Sequence, residues 1–330
     1  MHSVEALVAG LRDGDRTALA KAITLVESTR AADSGLAREL VERCLPWSGV
    51  GARIGITGIP GAGKSTLIDD LGLRLIARGH RVAVLAIDPS SARSGGSILG
   101  DKTRMERLAQ RPEAFIRPTA AGGHLGGVAR RSREAIVLCE AAGFDRVIVE
   151  TVGTGQNELE ADAITDASVL LMVAGTGDDL QGIKRGIMEA ADLIAFTKCD
   201  GGMQERAAHA RRELLSALQL MPARPSGKRA DVLLTSATTG QGMEALTDAL
   251  EALLQQARVS GVLEERRREQ ALAWLEHALA DGLRTLFNQD ASVAAALPGL
   301  RQAVREGGTS PFAAAETLLR LFRTGGAPLP

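Results

Sequence analysis

Tyrosine is absent from this chain of 330 residues, aromatic residues make up 2% of it, and cysteine occurs three times. So few aromatic rings leave little to stack on exposed nucleic-acid bases, a mode of binding that depends on them. Cys44, Cys139 and Cys199 are odd in number and far apart, which fits neither a disulfide framework nor a paired-cysteine metal site, and predicts a reducing setting. Charge of one sign is lacking too: 39 basic residues face 40 acidic ones, for a formal net charge of -1. That balance removes the electrostatic case for a nucleic acid or an anionic membrane as the main partner. No apolar run approaches the roughly 18–20 residues of a membrane span, and the first residues lack a basic stretch followed by an apolar one. The expectation is a soluble, cytoplasmic, unprocessed protein.

What is abundant is aliphatic: hydrophobic residues reach 45% of the chain. Residues 4–45 carry them at helical spacing (Leu7, Leu11, Leu19, Ile23, Leu36, Leu40), with breaks expected at Asp13-Gly14-Asp15 and at Asp33-Ser34-Gly35. From about residue 50 short aliphatic runs alternate with helical stretches, at 53–57, 81–88, 115–117, 146–150, 169–174, 193–197 and 232–235. Such alternation predicts an α/β fold with a mostly parallel sheet covered by helices. After about residue 258 strand signals cease and a charged helix, 262–286, opens a helical tail. The expected division is a helical extension over 1–48, a nucleotide-binding domain over 49–258 and a helical arm over 259–330.

Gly58-Ile59-Pro60-Gly61-Ala62-Gly63-Lys64-Ser65 meets the spacing GxxxxGK[ST], followed by Thr66, between a strand and a helix that begins near Lys64. The motif needs glycines so that backbone N–H groups can turn inward around a phosphate; the helix N-terminus adds positive potential. Lys64 would reach the β/γ-phosphates and Ser65 would ligate Mg²⁺. A Gly-rich turn that binds nothing is the bland alternative, and the joint occurrence of strand, loop, Lys-Ser-Thr and helix argues against it. Asp88 and Glu150 each end an aliphatic run, which predicts that both emerge at the carboxyl edge of the sheet, where open α/β sheets bind ligands. Gly153 and Gln156 lie in the segment directly after Glu150, a candidate switch whose backbone would meet the γ-phosphate. The polar segment Pro89–Asp101 would bring Asp101 toward the metal; its bland reading is a surface loop.

Thr197-Lys198-Cys199-Asp200 follows the run 193–197 and matches the NKxD guanine-recognition element, with Thr in place of Asn. A carboxylate there accepts from guanine N1–H and its amino group, a donor pair that adenine does not offer. Lys198 would lie along the base and ribose, and Thr197 keeps a hydroxyl but loses the Asn amide, which is expected to weaken a binding contact or a loop-bracing contact. Ser236-Ala237, after the next strand, is similar to the loop that places a backbone N–H on guanine O6. Together these elements predict GTP and GDP as ligands and GTP hydrolysis, with Lys64, Asp88, Asp101 and Glu150 as its catalytic groups.

The stretches GITGIPGAGKSTLID, AIDPSSARSGGSILGDKTRM, ETVGTGQNE and GTGDDLQGIKRGIMEAADL resemble the MeaB/ArgK family, the GTPases associated with methylmalonyl-CoA mutase. The likeness runs closely over roughly residues 40–260. It implies a SIMIBI-type P-loop G domain with a C-terminal dimerising arm, and hence a homodimer. It further implies a chaperone for an adenosylcobalamin-dependent acyl-CoA mutase, gating cofactor loading and protecting or reactivating the partner. By that resemblance Asp88, Asp101 and Glu150 line the metal site, and 177–190, with Asp178, Gln181 and Lys184, is an additional switch facing the mutase. Read without it, 177–190 is a loop entering a helix. The leucines at 263, 272, 275, 279 and 283 permit packing within or between chains.

Two other functions share the phosphate loop. A nickel-type metal-insertion GTPase would favour clustered soft ligands, whereas the five histidines and three cysteines are dispersed. A P-loop kinase acting on a small molecule or protein would use ATP, against which Asp200 and the Ser236-Ala237 loop weigh.

Overall fold

The computed structural model describes residues 3–88, 105–120, 125–151, 161–175, 185–221 and 229–324. The chain divides into two compact units, Met1–Gln270 and Ala271–Pro330.

In the first unit the helices α1 (Val4–Arg12), α2 (Arg16–Glu27) and α3 (Ala31–Cys44) precede the sheet. Ser3 and Asp15 cap the first two, their side chains accepting from Ala6 N at 3.2 Å and Thr17 N at 2.7 Å, the usual service to otherwise unpaired first-turn N–H groups. The break expected at Asp33-Ser34-Gly35 is not there: α3 runs through it, and the chain turns at Ser28–Arg30 instead. Asp33 sits in the first turn of α3, where the helix dipole favours an anion, and accepts from Ser28 Oγ at 2.6 Å. Gly35 is exposed, with no atom within 4 Å of where a Cβ would lie, so it costs only propensity.

Then the chain alternates: β1 (Ala52–Gly58), α4 (Lys64–Ala77), β2 (Val82–Asp88), α5 (Glu106–Ala109), β3 (Ala114–Ala120), α6 (Leu125–Ala141), β4 (Arg146–Thr151) and β5 (Ala167–Val173). It continues with α7 (Arg185–Ala190), β6 (Leu193–Thr197), α8 (Gln204–Gln219), β7 (Asp231–Leu234), α9 (Met243–Val259) and α10 (Val262–Gln289). The seven strands form one sheet in the order β3-β2-β4-β1-β5-β6-β7, every pairing parallel. Each expected aliphatic run is one of them. β1 is buried along its whole length, as a strand covered on both faces must be. On one face Ile54, Ile56, Ile148 and Val169 pack with Leu67, Ile68, Leu71 and Leu75 of α4 and with Leu246 and Leu250 of α9. The strand β1, which leads into α4, occupies the centre of the sheet.

The second unit holds the remainder of α10, then α11 (Ala291–Arg305) and α12 (Pro311–Thr324). Asp290 caps α11 through Ser292 N and Val293 N at 2.9 and 3.0 Å. Phe287 meets Phe322 edge-on with ring centroids 5.5 Å apart. Leu272, Leu275, Leu279, Leu283 and Leu286 are all more than half exposed. No described helix is long and apolar enough to cross a membrane.

Candidate nucleotide site

β1 ends at a glycine for a steric reason. Gly58 has φ +152°, and a Cβ there would come within 2.6 Å of the Leu171 carbonyl oxygen on neighbouring β5, so no side chain fits. Gly61 and Gly63 follow at φ +81° and +85°, and Gly63 stands as the N-cap of α4 in the left-handed conformation. The loop thereby turns the first peptides of α4 toward the carboxyl edge of the sheet, where the helix dipole concentrates positive potential. Lys64 Nζ donates to the carbonyls of Gly58 at 2.7 Å and Ile59 at 3.2 Å, arching over the loop. Pro60 and Thr66 are exposed and Ala62 is buried.

Ser65, in the first turn of α4, donates to Glu150 Oε1 at 3.1 Å. Glu150 is on β4 opposite Ile56 of β1 and Ala86 of β2, and it is buried. Asp88 closes β2 two residues beyond that partner, so its backbone is at the same edge; its side chain lies outside the described residues. Asp101, Gly153, Gln156, Asp178, Gln181 and Lys184 also lie outside them. Among the described residues no group of three or more His, Cys, Asp or Glu side chains could hold a metal ion. Ser65 and Glu150 bring a hydroxyl and a carboxylate together beside the phosphate loop, hard oxygen donors of the kind Mg²⁺ takes in small number alongside phosphate oxygens. Thr57 and Thr151, at the ends of β1 and β4, have buried hydroxyls with no hydrogen-bond partner among the described residues.

The loops after β6 and β7 are lashed to one another. Thr235 donates to the Phe196 carbonyl through its N–H at 2.7 Å and its hydroxyl at 2.9 Å, and Cys199 N donates to the Thr235 carbonyl at 3.0 Å. The Cys199 thiol is buried against the Phe196 carbonyl, and burial raises its pKa. Thr197 points the other way: its buried hydroxyl donates to the carbonyl of Ala62 in the phosphate loop at 2.6 Å, with the Met172 carbonyl at 3.1 Å. Lys198 is exposed at φ +57°, and its Cε lies 3.9 Å from the position a Cβ would take on Gly63. Its stem therefore lies along the phosphate loop. Asp200 is half-exposed, and its carboxylate has no hydrogen bond or ion pair with any described residue. Ser236 is buried, its Oγ accepting from Thr239 N at 3.3 Å and its N–H donating to the Gln241 carbonyl at 2.8 Å; Ala237 packs against the core. Gly242 closes this turn at φ +70°, with the Leu234 carbonyl filling the space a Cβ would need. The Thr197 hydroxyl thus makes a loop-bracing contact to the phosphate loop. Thr235 carried no signal, since its partner is 39 positions away.

A central strand that opens into a glycine-shaped loop and a helix N-terminus, on an all-parallel sheet, defines a P-loop nucleotide-binding protein. The family model described as methylmalonyl-CoA mutase-associated GTPase MeaB matches residues 19–292. The chain is 48% identical over 320 residues to a putative GTPase of Caulobacter vibrioides, covering 97% of this chain and 98% of that one. It is 41% identical over 331 residues to the methylmalonic aciduria type A homolog, mitochondrial, of Mus musculus, covering 97% and 80%. A crystal structure titled LAO/AO transport system kinase superposes with a TM-score of 0.75 at 33% identity, covering 97% of each chain. The chain belongs to the MeaB family. It is a GTPase, and its nucleotides are GTP and GDP.

Proposed function

We propose that this GTPase is Mg²⁺-dependent and serves an adenosylcobalamin-dependent acyl-CoA mutase, methylmalonyl-CoA mutase or a close relative, by gating cofactor loading and protecting or reactivating it. The reading is carried by the match, over residues 19–292, to a family described as mutase-associated GTPases. Within the site, Lys64 gives up its loop carbonyls to take the β- and γ-phosphate oxygens. Backbone N–H groups from Gly61 to Thr66 hold the β-phosphate. Ser65 and Glu150, with Asp88 and Asp101, hold Mg²⁺, which when bound neutralises charge on the phosphate oxygens. Asp200 accepts from guanine N1–H and its amino group, Lys198 covers the base, Thr197 ties the base loop to the phosphate loop, and Ser236-Ala237 bounds the base at O6. Gly153 and Gln156 respond to the γ-phosphate, and Asp178, Gln181 and Lys184 carry its state to the mutase. The exposed leucines of α10 are the surface through which residues 259–330 act as a dimerising arm in a cytoplasmic homodimer.

The test is GTP turnover by the purified full chain with and without purified mutase and adenosylcobalamin, together with light scattering of each alone and mixed. Faster turnover and a co-migrating complex support the reading. Unchanged turnover and no complex would remove the mutase role, and a monomer at micromolar concentration would remove the arm's role. Because one structural relative is titled a kinase, ATP with candidate acceptors belongs in the same assay; a phosphorylated acceptor without GTP turnover would replace the reading altogether.

A further inference from the structure

Asp70, Arg74 and Arg78 follow one another at four-residue spacing and so share one face of α4. The Arg74 guanidinium is engaged on three sides. Its Nε donates to Asp70 Oδ2 at 2.6 Å, and its Nη1 donates to Glu244 Oε2, in the first turn of α9, at 2.7 Å. Its Nη2 lies 3.3 Å from the position a Cβ would take on Gly240. Gly240 has φ +78°, and the missing side chain lets the guanidinium rest against the loop backbone. Asp70 is itself buried, so the fork is anchored from beneath. Arg78 pairs with Glu244 and Asp248, both on α9 and past the loop.

From Gly240 the contact passes straight to the base loop. Gly240 N donates to the Ser236 carbonyl and Ser236 N to the Gln241 carbonyl, each at 2.8 Å, which closes 236–241 into a tight turn. The inner end of that turn is held by Thr235 on the Phe196 carbonyl. At the outer end, where Thr238, Thr239 and Gln241 are exposed, Arg74 supplies the backing. A rigid planar fork can hold a carboxylate on each of two helices and lie flat on a backbone at once, which an ammonium cannot.

We infer that Arg74 is a positioning residue for guanine selectivity: it backs the turn 236–241 and so fixes where the backbone at Ala237 meets guanine O6. Since α4 begins at the phosphate loop, one helix then sets both the phosphate end and the O6 end of the site. This inference rests on the proposed placement of Ser236-Ala237 at O6. An ion pair that only stabilised the fold would lower the melting temperature and leave the preference among bases alone.

The experiment measures affinity of the full chain with Mg²⁺ for GDP and for 6-thioguanosine diphosphate, which keeps the N1–H and amino group and replaces O6 by sulfur, a poor acceptor. Wild type is compared with Arg74→Ala, Arg74→Lys, Glu244→Gln and Arg78→Ala. The Glu244 side chain is well exposed, so Glu244→Gln keeps the test valid if Arg74→Ala fails to fold. Wild type should prefer GDP, and Arg74→Ala should lose about fivefold of that preference, the scale of one neutral hydrogen bond. Its affinity for the thio analogue should stay within about twofold by the same reasoning. Arg74→Lys and Glu244→Gln should lose part of the preference, and Arg78→Ala should keep it. A preference unchanged in Arg74→Ala, an equal loss for both nucleotides, or an equal loss of preference in Arg78→Ala overturns the inference and leaves the O6 reading standing. A wild type that binds both nucleotides equally overturns the O6 reading and the inference with it.

Discussion

The two ends of the parallel sheet treat charge in opposite ways. At the amino end buried carboxylates and guanidinium groups are paired. Arg53 at the start of β1 donates to Glu140 at 2.9 and 3.1 Å, and Glu140 also accepts from Gly49 N at 2.6 Å. Asp166 accepts from Arg53 N and from Arg267 of α10 at 2.8 Å each, and Arg146 pairs with Glu251 at 2.8 and 2.9 Å. At the carboxyl end Asp200 and the buried hydroxyls of Thr57 and Thr151 meet no partner among the described residues, and Lys198 holds a left-handed backbone that a side chain rarely adopts. Buried charges with partners are what a fold needs. Open polar groups and local strain, held in place by rigid strands, are what a ligand needs. The sheet therefore separates holding from binding along the strand axis.

Substitutions at the two ends should accordingly fail in different assays. The largest effect is expected from Glu140→Ala, which strands Arg53 in the interior beside Arg133, a group that burial and the nearby Arg53 charge already push down to about 10. A loss of about 3–5 kcal/mol of stability is expected in denaturant unfolding, with guanine selectivity unchanged in whatever folds; a selectivity change would blur the division. Lys64→Ala should slow GTP hydrolysis by about 10²–10³-fold, the scale for removing one preorganised donor to a transition-state oxygen, while the melting temperature of the nucleotide-free chain moves little. Asp200→Asn should weaken GDP binding by about 100-fold, as two charge-assisted hydrogen bonds are impaired, and leave ATP binding as it was. Equal losses for both nucleotides would show that Asp200 is structural and belongs with the other end.

The smallest effect concerns Glu251. Burial pushes its carboxyl up, but Arg146, with His80 and Arg78, outweighs this and holds it below its usual value. A carboxyl lowered on folding contributes stability above its unfolded pKa and loses it as pH falls through the folded one. Glu251→Gln should therefore cost about 1 kcal/mol at pH 7, and the gap to wild type should close in unfolding curves measured below about pH 4. A gap that persists in acid would mean that packing, not charge, holds Glu251 there.

Much of the binding end was legible because its signals are local. Gly58, Gly63, Lys64 and Ser65 fall within one loop, and aliphatic runs at 53–57 and 193–197 announced the strands β1 and β6 that carry the two recognition loops. The holding end was not legible: Arg53 and Glu140 are separated by 87 positions and Arg267 and Asp166 by 101, so no periodicity links them. The turn-forming residues Asp33-Ser34-Gly35 do not break α3, because the helix dipole and solvent accommodate them there. The contact of Leu108 with Gly72 was invisible for a related reason, since Gly72 reads as a weak point in a helix until its neighbour is known.

Thr197 carries one hydroxyl proton, and two carbonyls lie within its reach. At 2.6 Å the Ala62 oxygen holds it, while the Met172 oxygen waits at 3.1 Å. Rotation about the Cβ–Oγ1 bond alone redirects the hydrogen bond from one carbonyl to the other, the proton staying on Thr197. The connection between the base loop and the phosphate loop is thus a pin with two sockets, one in the phosphate loop and one on β5.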